Sequence, residues 1–378
     1  MSVRKSEGIT PILGTMLLLV IILTMIATVL YWATPTIKAI ELDTQVTSAT
    51  GYFQNANKEV RGLINDGWGC GRNVKLSLST GGIQMYSDQS DLIEPSEVKV
   101  DSGFQPKTPW VMGYNMPDSR YDILFDGLTD ELTDKFTIRN LEGSTFSGMV
   151  TVECLQGERA GETQSVAVTL ALPNPPKADI AITLYDASRI TLQTTATPPV
   201  VLAQAYVFSL GSIYYFLPSD HGTFHFILQN TGLAMDYPSS PTILTGLLTS
   251  ECGLSNGVRT LTIYMANFNP RGIYASESGD VTLAMRYSKV GFYGNQDVRG
   301  LRLSVGGEYR EPWYTSLTDN YLHSHATSVE KYSGFIADSS QNLEPGVIYN
   351  VPSSVTGGGK DQVRLNIVWA NVDVEIRS

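Results

Sequence analysis

Four histidines and one acidic run are the residues of this 378-residue chain whose types and spacing suit chemistry. His323 and His325, in YLHSH, would leave one face of a strand together, as two imidazoles offered to a metal ion would. His221 and His225, in DHGTFHF, lie four apart in a turn-to-strand stretch. Asp126, Asp130 and Asp134 are spaced by fours, with Glu131 beside them, so a helix would place them on one face. The alternating oxygen ligands and central glycine of a calcium loop are missing there. Surface or turn positions for the histidines and a solvated acidic face are the expected roles, and no metal site is expected.

Nucleophile signatures fail in the same way. The chain has no Gly-x-Ser-x-Gly elbow, no His-Glu-x-x-His and no Ser-x-x-Lys in a suitable setting. Gly357-Gly358-Gly359-Lys360 lacks the leading glycine and following hydroxyl of a phosphate loop, and Asp361 would repel phosphate. Tyr214-Tyr215-Phe216 and Trp313-Tyr314 read as core and cross-strand pairs before they read as a binding patch. No catalytic set and no cofactor are expected, so the protein works by packing and binding rather than by turnover.

The elements that must carry these residues are mainly strands. From Asn73 the apolar pattern has a period of two: NVKLSLST, GIQMYS, EVKV, KFTIRN, GSTFSGMVTVEC and TQSVAVTLAL run to Leu172. The acidic run 126–134 interrupts them as a loop or short helix. PNPP with Lys177 follows, three prolines in four residues, and reads as a spacer at 173–177. A second β-rich block, 178–378, contains ADIAITLYDA, RITLQTTA, AYVFSLGSIYYFL, TFHFILQN, TLTIYMAN, DVTLAMRYSKVGFY, LRLSVGGEYR and VRLNIVWANVDVEIR. The last of these alternates strongly and is expected to be central in its sheet. The expected fold is therefore α+β. A long N-terminal helix precedes a first β-rich domain (67–172), the Pro-rich linker (173–177) and a second β-rich domain (178–378). The β part is of antiparallel, sandwich-like build.

Totals narrow the function. Lys and Arg number 26 against 37 Asp and Glu, a net charge of −11. That balance argues against nucleic acid as a partner, because phosphate neutralisation needs basic patches. Nineteen Tyr, 34 Gly and 18 Pro suit a turn-rich β protein. Three cysteines, Cys70, Cys154 and Cys252, leave at least one without an intrachain partner and allow one disulfide of unassigned pairing. No Asn-x-Ser/Thr acceptor occurs.

The N-terminal stretch organises the rest. No charge falls between Glu7 and Lys38, and Ile12 to Ala33 is almost wholly apolar. As a helix that centre spans roughly 33 Å at about 1.5 Å per residue, enough for a hydrocarbon core of about 30 Å. Residues 9–35 read as a transmembrane helix and 36–66 as its amphipathic continuation, with a kink expected at Pro35. Beyond Pro35, Leu42, Val46, Ala49, Phe53, Ala56, Val60 and Leu63 follow alternating steps of four and three, one apolar stripe. That stripe suits packing on the chain's own β domain, on neighbouring subunits, or on both. Gly67 is the expected stop. Within the span, Gly14 and Thr15, then Thr24, Ala27 and Thr28, are small enough for helices to approach closely. Arg4 and Lys5 keep the short N-terminal flank cytoplasmic, which puts the β part outside the membrane.

Three readings of this stretch compete: a cleaved secretory signal, whose apolar core would be shorter, a plain signal anchor, and a leader followed by a retained helix. For the third, Arg4, Lys5 and Gly8, followed by Ile9-Thr10-Pro11-Ile12-Leu13-Gly14-Thr15, resemble the start of archaeal type IV pilins and archaellins, which carry class III signal peptides. The likeness covers about residues 1–65. It implies that residues 1–8 are a leader and that a prepilin peptidase cuts between Gly8 and Ile9. It also implies that the helix stays on the mature chain and packs with sister pilin subunits on an assembly platform. Leu13 stands where bacterial type IV pilins have glutamate, so a bacterial assembly mode is not implied. The expectation is a single-pass cell-membrane protein with an extracellular C-terminal part. It would be a pilin-like subunit of minor or pseudopilin type, in an archaeal surface filament or assembly machine. The alternative is a signal-anchored adhesin or binding protein that does not polymerise.

Overall fold

The computed structural model describes residues 10–78, 80–86, 108–115, 121–124, 135–140, 144–171, 177–182, 184–185, 187–220, 222–238, 240–245, 249–255, 258–271, 275–276, 279–298, 300–305, 336–337, 347–350 and 363–377. Helix α1 (Thr10–Asp66) comes first. Strands β1 (Gly71–Leu78), β2 (Gly82–Tyr86), β3 (Thr108–Asn115), β4 (Tyr121–Leu124), β5 (Lys135–Asn140), β6 (Phe146–Cys154) and β7 (Thr163–Leu170) follow. Next come β8 (Lys177–Ala181), β9 (Ala187–Thr194), β10 (Val201–Leu210), β11 (Ser212–Ser219), β12 (Gly222–Gln229), β13 (Gly232–Tyr237), β14 (Ser240–Thr245) and β15 (Thr249–Ser255). The chain closes with β16 (Val258–Pro270), β17 (Ala275–Ser276), β18 (Gly279–Val298), β19 (Gly300–Val305), β20 (Ile336–Ala337), β21 (Val347–Asn350) and β22 (Val363–Arg377). The chain is α+β: one long helix with an apolar N-terminal run, then a mostly-β part built of antiparallel sheets with one parallel pair among the described strands.

Side-chain alternation explains the strands. In β1, Asn73, Lys75 and Ser77 are exposed while Val74, Leu76 and Leu78 are buried. In β6, Val150, Val152 and Cys154 are buried, with partly exposed residues between them. The helix stops at Gly67, whose φ of 92° suits a residue without Cβ. Its N–H donates to the carbonyls of Leu63 and Ile64, each at 3.3 Å, satisfying carbonyls that the helix end leaves open. Pro35 lies inside α1, which continues through it.

Four sheets are formed among the described residues. Their orders are β1-β18-β22-β16-β15, β20-β21-β19-β3-β10-β9-β6-β7, β14-β13-β12-β11-β2-β17 and β4-β5-β8. Strand β22 sits in the middle of the five-stranded sheet, as its alternation suggests. It runs antiparallel to β18 but parallel to β16, from Thr260 opposite Arg364 to Pro270 opposite Val374.

The expected division at 173–177 is corrected by the pairing. Strand β1 pairs with β18, β2 with β11, β3 with β10, β5 with β8 and β6 with β9, all across that boundary. Stretches 67–172 and 178–378 therefore share their sheets and belong to one unit, Thr50–Ser378, with Met1–Ala49 as the other. Proline removes a ladder donor and punctuates the chain locally, but a sheet draws its partners from any distance in sequence.

Within the larger unit the sheets pack in layers. Ile123, Phe136 and Ile138 of the three-stranded sheet meet Val150, Val152, Ile190, Leu192 and Val207 of the eight-stranded sheet in one buried cluster. Phe208 of β10 packs on Trp369 of β22 at 4.8 Å between ring centroids and on Tyr293 of β18 at 5.9 Å. Cys70 is half-buried and Cys154 is buried, its thiol donating to the Gln156 carbonyl at 3.0 Å.

Candidate anchoring helix

In the unit Met1–Ala49, α1 carries a run long and apolar enough to cross a membrane once, with a mean hydropathy of 2.7. From Leu13 to Leu30 its large apolar side chains point outward, the least exposed being Ile21 at 45%. The polar side chains of the run are turned back onto the helix. The Thr24 hydroxyl donates to the carbonyl of Val20 at 2.5 Å, and Thr28 to Thr24 at 2.7 Å. Thr34 donates to Leu30 at 2.6 Å. Such back-bonding leaves no hydroxyl unsatisfied in hydrocarbon. Gly14 has open space where a Cβ would stand, and Gly14, Thr15, Leu18, Leu19, Ile22 and Leu23 line a shallow apolar groove. Ala27 is exposed with Thr24 and Thr28. Farther along, Leu42 and Val46 are half-buried and Ala49 is buried.

In the unit Thr50–Ser378 the same helix is clamped. Phe53, Ala56, Val60 and Leu63 are fully buried. Phe53 stacks on Tyr215 of β11 at 5.7 Å and on Phe226 of β12 at 5.8 Å. Those two rings face each other in register across the strand pair. Burying a phenylalanine side chain stabilises by about 1.5–3 kcal/mol. Asn57 and Ile64 are buried as well, so the covered arc is wider than a heptad seam. A stripe of i, i+3, i+4 and i+7 residues is what a globular core recruits, and Ile64 beside Leu63 was its sequence signal.

Polar contacts fix the helix end, and the sequence did not flag them. Arg61 donates to the Thr231 carbonyl at 3.0 Å. Arg72 at the start of β1 pairs with Asp66 at 2.5 Å and with Glu59, both on α1, and those bonds push its pKa up, Asp66 foremost. The Arg72 guanidinium lies over Gly62, where a Cβ would stand 2.8 Å from it. Trp68 donates its indole N–H to the Ser288 carbonyl at 3.0 Å, the Gly69 N–H donates to the Tyr287 carbonyl at 2.9 Å, and the Tyr287 N–H donates to the Cys70 carbonyl at 2.9 Å.

Of the other sequence candidates, Tyr214 and Tyr215 are core residues. The Tyr215 hydroxyl donates to the Thr80 carbonyl at 2.6 Å, and burial pushes its pKa up to about 12. His225 is half-buried, hydrogen-bonded to Tyr214 and stacked on its ring at 5.4 Å between centroids. Gly8, Ile9, His221, His323, His325, Asp126, Asp130, Glu131, Asp134, Trp313, Tyr314 and Gly357 to Lys360 lie outside the described residues.

The arrangement is one apolar rod, exposed along its first part, whose last turns are buried against the β unit. Comparison with protein families, with curated proteins and with solved structures finds no match to this chain.

Proposed function

We propose that this protein is a pilin-like structural subunit of an archaeal cell-surface filament or assembly machine, of minor or pseudopilin type. Its N-terminal helix is the membrane anchor and, on assembly, the packing surface toward sister subunits. The β unit is the head carried outside the cell. The observation that supports this reading is the division of one uninterrupted helix, apolar and exposed from Leu13 to Leu30, then buried at Phe53, Ala56, Val60 and Leu63. An apolar surface of that extent needs lipid or another helix around it. The back-bonded threonines and open Gly14 suit both surroundings in turn. A prepilin peptidase would release residues 1–8, and no turnover is attributed to the head.

The test is the N-terminus of the protein purified from its native membrane, read by Edman degradation or intact mass. A start at Ile9 is the expected result. A chain that keeps Met1 or Ser2 while remaining in the membrane identifies a plain signal anchor and overturns the pilin reading. A head found soluble without residues 9–35 overturns both.

A further inference from the structure

The outer face of the five-stranded sheet carries a polar groove of about 710 Å³, lined by Asn73, Arg271, Arg286, Asp373, Glu375 and Arg377 among others. We propose that this groove binds the carboxylate of an acidic carbohydrate, with Arg286 as the recognising residue. The inference does not rest on the membrane or filament reading.

Asp373 is mostly buried and accepts from Arg271 at 2.9 Å and from Asn269 at 3.0 Å. Glu375 is held by Arg377 at 2.6 Å on the same strand. Arg286 stands directly opposite Asp373 in the β18–β22 register, yet it makes no ion pair among the described residues and is exposed. Its neighbour on the other side, in β1, is Gly71, which has no side chain to cover it. An arginine fork with five donors is therefore left presented from a strand paired on both sides. A carboxylate is the group whose two oxygens match that fork.

The rest of the groove selects the kind of carboxylate. Its floor is the face of β18 and β22, whose backbone groups are used within the sheet, so an added peptide strand has no ladder to join there. The groove offers side-chain donors and acceptors from Asn73, Asp373, Glu375 and its arginines, which suits sugar hydroxyls. None of its described lining side chains is aromatic, so among them a neutral sugar has no ring to stack on and the charge must carry recognition. The chain's net charge of −11 repels polyanions elsewhere, which makes capture local to this face.

The experiment is calorimetric titration of the purified full-length protein in detergent with polygalacturonate, dextran and poly-glutamate, at low and high salt. Polygalacturonate should bind at low salt and weaken as salt is raised, and dextran should not bind. Arg286→Gln should weaken polygalacturonate at least about tenfold, Arg286→Lys less, and Lys58→Gln, at an exposed helix position, not at all. Arg286 is exposed, so both of its variants should keep the thermal midpoint of the parent. The proposal is overturned if the parent binds no polygalacturonate, if Arg286→Gln binds as the parent does, if Lys58→Gln loses as much, or if poly-glutamate binds as tightly.

Discussion

The first and last parts of α1 share one backbone geometry and meet different surroundings. Between Leu13 and Leu30 the side chains are apolar on every face, and Leu17, Met25 and Leu18 are each more than 60% exposed. Between Phe53 and Ile64 only one arc is apolar, and Phe53, Ala56, Val60 and Leu63 are at 0%. A protein core asks a helix for a stripe, because the opposite face stays in water. A bilayer or a bundle of like helices asks for apolar residues all round, because no face is wet. The difference teaches that pattern, not mean hydropathy, says which solvent a stretch of helix is made for. Both parts contain hydroxyl or amide side chains, but the first turns them back on its own carbonyls, and the second spends Arg61 on a carbonyl of the β unit.

That contrast can be broken at either end. Replacing Leu19 and Leu23 together by lysine puts two charges in the middle of the apolar run, at about 2.5–3.5 kcal/mol each on an insertion scale. The protein should then leave the carbonate-resistant membrane fraction, while the far-ultraviolet signature of the β unit is unchanged. Phe53→Ala should do the reverse. Loss of a fully buried ring stacked on Tyr215 and Phe226 should lower unfolding free energy by about 3–5 kcal/mol in denaturant titration. Leu23→Ala on the exposed part should stay within about 0.5 kcal/mol in the same assay. If the two alanine variants unfold alike, the helix is not divided as described.

A smaller effect sharpens the clamped end. Tyr215 lies under Phe53, and its pKa is raised from 10.0 to about 12 by burial. A group whose folded pKa is raised contributes stability that is fully present below the unfolded value, near pH 10. That contribution is lost as pH rises through about 12. At 1.36 kcal/mol per tenfold change in proton affinity, the loss is about 2–3 kcal/mol. The thermal midpoint should fall over that window, and Tyr215→Phe should flatten the fall while giving up the bond to Thr80 at neutral pH. An equal fall in both proteins would show that Tyr215 does not titrate from a buried site.

Much of the local structure was legible in the residues. Strand β22 is read from strong alternation on either side of the apolar run Ile367 to Ala370, and β1 from Val74, Leu76 and Leu78. The stop at Gly67 follows from the cost of a positive φ for any residue with a Cβ. The partners were not legible. Strand β1 pairs with β18, 208 residues on between Gly71 and Gly279, and nothing in either segment names the other. The proline cluster before Lys177 marked a break in the chain and was read as a break in the fold, which the pairs β5–β8 and β6–β9 cross. The groove around Arg286 was invisible for the same reason, since Arg286 comes from β18, Arg377 from β22 and Arg271 from just past the end of β16.

By itself the sequence determined the local periods. It set a helix apolar all round and then on one stripe, strands that alternate, and a glycine at the end of the helix. These follow from the fixed repeats of 3.6 and 2 residues and from the sterics of one Cβ. Only the tertiary structure decided which strands lie side by side, that the two β-rich stretches form one unit, and that Arg286 makes no ion pair among the described residues. Those outcomes depend on pairing between distant segments, where backbone hydrogen bonds are the same for every partner and only the packing of the whole chooses among them.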